Sequence, residues 1–231
     1  MNKYHSVVVF IICNDEVLML NRNKKFWMGM WNCVGGKIEE NETHLEAAIR
    51  ETYEETGIKL SSDKLLYLAD LKWYFEESEE DGAYCYLAYI DKKEKEQLLI
   101  TPLKTREGIL DWKKIDWVLD KDNRGIVPDI FELLSSMLSG TFKAITAYYD
   151  KEDKLSKIET EEGEKMDNLK ENLKKAGYAA VGAGATVYEK VAPVISKFAD
   201  KVINNIGEKY DTYASKGEEI LKKKKSQSEN E

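Results

Sequence analysis

The stretch from Gly36 to Ile58 constrains this chain more than any other. It reads Gly-Lys-Ile-Glu-Glu-Asn-Glu-Thr-His-Leu-Glu-Ala-Ala-Ile-Arg-Glu-Thr-Tyr-Glu-Glu-Thr-Gly-Ile and carries seven acidic side chains in 23 residues. Glu51, Glu54 and Glu55 fall at i, i+3 and i+4, so a helix puts them on one face, within roughly 100° of arc. Three carboxylates that close repel one another unless cations lie between them. Oxygen-only clusters of this kind suit hard divalent ions, Mg²⁺ first, with Mn²⁺ as a substitute.

Local chemistry predicts that helix. Thr43 caps its start with Glu46 three residues on, the spacing of a capping box. Leu45, Ala48 and Thr52 line the face away from the carboxylates, and Gly57 ends the helix. Arg50 reaches Glu54 at i+4 or Glu42 in the preceding loop, and its planar fork holds carboxylates in place. Gly35 and Gly36 let backbone approach a ligand closely, and Gly36 has a carbonyl to offer a metal. Lys37 is a candidate phosphate contact, as is Arg22 in the basic stretch before the aromatic loop.

These residues resemble a known pattern. Gly36, five residues, Glu42, seven residues, Arg50-Glu51, two residues, Glu54-Glu55, one residue and Gly57-Ile58 match the Nudix box. Thr52 departs from it, standing where the family has an aliphatic residue; it is β-branched and close to valine in size. A solvated acidic helix with ordinary i, i+4 pairs is the plainer alternative, but such a helix needs neither Gly36 nor Gly57 at fixed distances. The resemblance implies hydrolysis of a nucleoside diphosphate linked to another group. It also implies a three-layer α/β/α sandwich.

The similarity is closest to MutT-like oxidised-purine nucleoside triphosphatases, through Phe26 to Glu42 and onward to about residue 160. In that subfamily an asparagine after the tryptophan contacts the purine edge, and Asn32 matches it. Phe26 matches the aromatic that walls the base pocket; read from the residues alone, Phe26 and Trp27 suit either a stacking surface for a flat base or an aromatic mini-core, and Trp31 suits the core. Asp129 matches an acid that reads the base, although Val127 and Ile130 stand where some relatives have an aromatic and a second aspartate. Glu107, in the loop before a late strand, is the candidate for one more metal-side acid.

Composition bounds the rest. A net charge of −8 argues against stable nucleic-acid binding. Three cysteines without CxxC spacing read as reduced thiols in a cytoplasmic protein. No run reaches the ~18 apolar residues of a membrane span, and the apolar Val7 to Cys13 lacks a signal peptide's cationic flank and cleavage site.

Along the chain, Tyr4 to Cys13 and Glu16 to Asn21 read as a hairpin. Leu65 to Phe75 and Ala83 to Ile90 read as a second, with Trp73, Phe75, Tyr84 and Tyr86 crowding one end of the sheet. Gly108 to Trp117 reads as a strand and Pro128 to Leu138 as a helix with Pro128 in its first turn. Thr141 to Tyr149 and Leu155 to Ile158 form a last hairpin. The expected class is α+β, a mixed sheet flanked by helices, spanning residues 1–160.

Residues 161–231 change character and read as a helical C-terminal extension with a disordered end. Val187, Val191, Ile195, Phe198, Val202 and Ile206 form a helical stripe interrupted by Pro193. Such an extension is expected to pack on its own domain or on a second copy, with a membrane-surface or partner-binding tail as the alternative.

The leading expectation is thus a Mg²⁺-dependent hydrolase of oxidised purine triphosphates such as 8-oxo-dGTP, giving monophosphate and pyrophosphate. Arg50, Glu54 and Glu55 are its catalytic candidates. Gly36, Glu51, Glu54, Glu55 and Glu107 are its metal ligands. A dinucleotide, nucleotide sugar or capped RNA is the alternative substrate. A nucleotide sensor with the tail as output is the alternative from another class.

Overall fold

The computed structural model describes residues 3–75, 81–98, 100–138, 141–152 and 154–165. The tail helices expected beyond residue 165, and the turn at residues 76–80, lie outside them.

Among the described residues ten strands form one mixed sheet: β1 (Ser6–Cys13), β2 (Glu16–Arg22), β3 (Trp31–Asn32), β4 (Val34–Lys37), β5 (Leu65–Phe75), β6 (Asp81–Tyr89), β7 (Leu103–Lys104), β8 (Gly108–Lys114), β9 (Thr141–Tyr149) and β10 (Leu155–Lys165). The helices are α1 (His44–Thr56), α2 (Lys92–Leu98), α3 (Ile115–Val118) and α4 (Ile130–Leu138). The main strand order is β10-β9-β5-β6-β1-β2-β8-β7. β1 runs parallel to β6, and β5 parallel to β9; the other pairs are antiparallel.

β1 and β2 pair only near their turn, at Ile12↔Val17 and Cys13↔Glu16. Beyond it they part. β4 takes the vacated edge of β1 from Ser6 to Val9, and β3 pairs with β2 at Leu20 and Asn21. The glycines of β4 are thereby held in the middle of the sheet, beside α1.

Side-chain alternation explains the layers. Val7, Val9, Ile11 and Cys13 pack with Ala47 and Ala48 of α1. Phe10 and Ile12 point the other way and pack with Leu133 and Leu134 of α4. β1 is therefore apolar throughout because both its faces are covered. All three cysteines are buried and free.

Helix α1 forms as its caps predict. Thr43 Oγ1 accepts from Glu46 N at 3.2 Å, and Glu46 Oε2 accepts from Thr43 N at 2.9 Å. Gly57 ends the helix with φ 75°, a left-handed conformation that costs a Cβ-bearing residue about 1 kcal/mol or more. Thr52 is fully buried, and its hydroxyl donates to Ala48 O at 2.7 Å, so it fills an aliphatic site without an unpaired polar atom.

Several boundaries differ from the sequence reading. The strand from Gly108 ends at Lys114; Ile115 and Val118, three apart, turn helically and bury together. Pro128 lies in the turn before α4 rather than within it. β10 runs to Lys165, past the strand end expected at Ile158. The aromatics do not crowd one end. Trp73 packs on the α4 face, whereas Tyr84 and Tyr86 pack on the α1 face with His44, stacked on Tyr84 at 4.2 Å. Trp73 lies opposite Asp81 and Tyr84 opposite Asp70 in one unbroken register, so alternation along the strands puts them on opposite faces.

Candidate active site

Arg50 is the hub of the acidic side. Its Nε and one terminal nitrogen each donate at 2.8 Å to the two oxygens of Glu42. The other terminal nitrogen donates to Glu51 at 2.9 Å and Glu54 at 3.3 Å. Lys37 O accepts from the guanidinium at 2.8 Å, which ties β4 to the helix. The bidentate pair holds the Glu42 carboxyl below its ordinary range, and Arg50 is held more firmly protonated in return.

Glu55 is in a different environment. It is half-buried, and its Oε2 accepts from Gly35 N at 3.0 Å. Burial pushes its carboxyl up to about 8; the Gly35 N–H opposes that shift, and the charges of Glu51 and Glu107 reinforce it. Burial raises Glu51 as well, against the pull of Arg50. The charge of Glu107 reaches Glu55 from the loop before β8. Glu107 also pairs with Lys24 at 2.6 Å.

Gly36 lies directly over Glu51. A Cβ built there would sit 2.3 Å from the Glu51 carboxyl. The missing side chain is what lets backbone and carboxylate share this space. Among the described residues, no three acidic, His or Cys side chains are drawn together tightly enough to enclose a cation. Arg50 engages Glu51 and Glu54 instead, and Gly35 engages Glu55. The donor set is nonetheless all oxygen, converging on one helix face and one glycine, and it fits a hard divalent ion.

Beside these acids lies a cleft of about 140 Å³ between β1, β4, β5 and the start of α4. Arg22, Trp27, Asn32, Gly36, Trp73 and Asp129 are among its lining residues. Asn32 Oδ1 accepts from Cys33 N at 2.9 Å, so the Nδ2 amine is the group Asn32 can offer a ligand. Asp129 is only 2% exposed and not the surface residue that a first helical turn suggests. Burial raises its carboxyl pKa.

Two expected contacts lie elsewhere. Phe26 is 49% exposed and outside the cleft lining; its neighbour Trp27 lines the cleft instead. Both have positive φ, 61° and 57°, so the loop turns sharply and exchanges which aromatic points inward. Lys37 is exposed, and its carbonyl rather than its ammonium touches the acidic cluster. Sequence reasoning did not select Trp73 or Tyr149. Both donate to Asp129, and the only advance sign was that Trp73 shares strand parity with Leu71 and Phe75.

Among the described residues no helix is long and apolar enough to cross a membrane. The NUDIX domain family matches residues 3–130. The zebrafish oxidized purine nucleoside triphosphate hydrolase is 35% identical over 68 residues, covering 29% of this chain and 42% of that protein. The NAD-capped RNA hydrolase of Schizosaccharomyces pombe is 36% identical over 73 residues, covering 31% of this chain and 19% of that one. The matched region thus spans less than half of either relative. In overall fold, the crystal structure of a mutator MutT protein from Bacillus halodurans aligns with a TM-score of 0.54 at 22% identity, over 68% of this chain and 96% of that one.

Proposed function

This chain belongs to the Nudix family, and from that premise we propose that it hydrolyses an oxidised purine nucleoside triphosphate to monophosphate and pyrophosphate with Mg²⁺. The observation that carries this reading is the adjacency of two sites: the Arg50-braced carboxylates, and a cleft with Asn32 and Asp129 in its walls. The names of several relatives, among them the zebrafish protein, support the same substrate class.

Glu51, Glu54, Glu55 and the Gly36 carbonyl would hold the cation. When bound, Mg²⁺ neutralises phosphate oxygens and acidifies water. The chain's own residues do the positioning. Arg50 fixes Glu51 and Glu54 relative to the loop bearing Glu42, and so sets where the acidic face lies. A carboxylate of this face, Glu54 or Glu55, would take the proton of the attacking water or orient it. Arg22, lining the cleft, offers a fork to a phosphate. Trp27 offers a flat wall for a base, Asn32 an N–H donor to its edge, and Asp129 an acceptor.

Pyrophosphate release from a panel of nucleotides tests this. The panel holds 8-oxo-dGTP, ordinary purine and pyrimidine triphosphates, a nucleotide sugar and NAD-capped RNA, each with Mg²⁺. Preference for oxidised purine triphosphates is expected. Faster cleavage of the capped RNA or the sugar nucleotide would overturn the substrate assignment and leave the Nudix chemistry standing.

A further inference from the structure

Two donors converge on one oxygen behind the cleft. Asp129 Oδ2 accepts from Trp73 Nε1 at 2.8 Å and from Tyr149 Oη at 3.0 Å. Trp73 comes from β5 and Tyr149 from β9. These strands run parallel with Trp73 opposite Ala147 and Phe75 opposite Tyr149, so both donors project from one sheet face. Tyr149 is 2% exposed, stacks on Phe75 at 5.1 Å and meets Trp27 edge-on at 5.2 Å. It lies beyond the residues that match the family, 3–130, in the closing hairpin.

A carboxylate has about four lone-pair sites. Trp73 and Tyr149 occupy two of them, both on Oδ2. An indole N–H only donates, so Oδ2 is fixed as an acceptor and the carboxyl cannot rotate without breaking two bonds. The remaining acceptor capacity is that of a carboxyl which lines the cleft. A heterocycle edge carrying an N–H is the chemistry that completes it.

We infer that Tyr149 and Trp73 are a positioning pair that locks Asp129 to receive an N–H of the substrate's base, so that base selection depends on the closing hairpin. This rests on the reading that the cleft takes a nucleotide base. Tyr149 does not itself line the cleft and acts through Asp129.

The test is calorimetric binding to the full chain with Mg²⁺, which needs no turnover. The probes are α,β-imido-dGTP and inorganic tripolyphosphate. Tyr149→Phe is expected to weaken imido-dGTP binding about tenfold, the effect of one hydrogen bond to a charged group, and to leave tripolyphosphate binding within about twofold. Trp73→Phe, which removes the other donor, is expected to do the same. In an Asp129→Asn background, Tyr149→Phe should add less than about twofold, because the group it acts through is gone. Unchanged imido-dGTP binding in both variants, equal weakening for tripolyphosphate, or full additivity with Asp129→Asn would each overturn the inference. A chain that binds imido-dGTP but hydrolyses no nucleotide would sink the proposed activity and not this assignment. Hydrolysis that persists with unaltered base preference in Tyr149→Phe would do the reverse. A wild-type chain that binds no nucleotide would sink both.

Discussion

The acidic side and the neighbouring cleft of this molecule are built in opposite ways. The acidic side is local: Gly36, Glu42, Arg50, Glu51, Glu54 and Glu55 come from one strand, one loop and one helix adjacent in sequence. The cleft is assembled from afar. Asn32, Trp73, Asp129 and the supporting Tyr149 come from β3, β5, the turn before α4 and β9. Charge chemistry can be held by helical periodicity alone, whereas shape recognition needs strand register. Perturbing the first should cost turnover broadly. Perturbing the second should change which base is accepted.

The sharpest way to break that division is Glu55→Gln. Turnover should fall on the order of 10²-fold or more for every substrate, because the carboxyl able to take a proton or ligate a cation is gone. Steady-state pyrophosphate release on folded protein measures it, and a near-normal rate would remove Glu55 from the chemistry. Arg50→Ala comes next. It strips the cation from Glu42, whose side chain is 13% exposed, and from Glu51, at 14%. A loss of about 2–3 kcal/mol is expected in urea unfolding at neutral pH. A loss below about 0.5 kcal/mol would mean that the fork is not what braces the helix.

On the cleft side, Asn32→Ala should reduce discrimination between purine and pyrimidine triphosphates about tenfold in kcat/KM, the effect of one base-edge hydrogen bond. Equal losses for both classes would place Asn32 with the structural residues. The pH dependence of stability is a smaller effect with a definite sign. A carboxyl raised from 4.5 to about 8 in the folded state favours folding below pH 4.5, and that contribution is lost as pH rises through 8. Without divalent ions, the melting temperature of wild type should therefore fall by a few degrees relative to Glu55→Gln between pH 6 and 9. Parallel melting curves would contradict the buried-carboxyl picture. Smallest of all, Thr52→Val should change stability by less than about 0.5 kcal/mol, since its hydroxyl bonds only the Ala48 carbonyl of its own helix.

What the sequence made legible follows the same line. The caps of α1, its buried and acidic faces, the Arg50–Glu42 pair and most strands follow from spacing and residue type, because those forces act over a few residues. Which of Phe26 and Trp27 faces the cleft stayed open, since positive φ at two bulky residues has no local signature. The separation of Trp73 from Tyr84 and Tyr86 was hidden as well, because it depends on which residues of β5 and β6 pair. Tyr149 was read correctly as the end of a strand. Its meeting with Asp129 depends on a parallel pairing with β5 across some seventy residues of chain. The loop that carries Glu107 is held beside the end of β2 by β2–β8 pairing, which spacing along the chain does not reveal.

One assay reaches the centre of the account: hydrolysis of 8-oxo-dGTP by the full chain, in Mg²⁺, then in excess EDTA, then with Mg²⁺ restored. Monophosphate and pyrophosphate in equal amounts, stopped by the chelator and recovered with the ion, are predicted. Hydrolysis indifferent to EDTA would contradict the role given to the glutamates of α1.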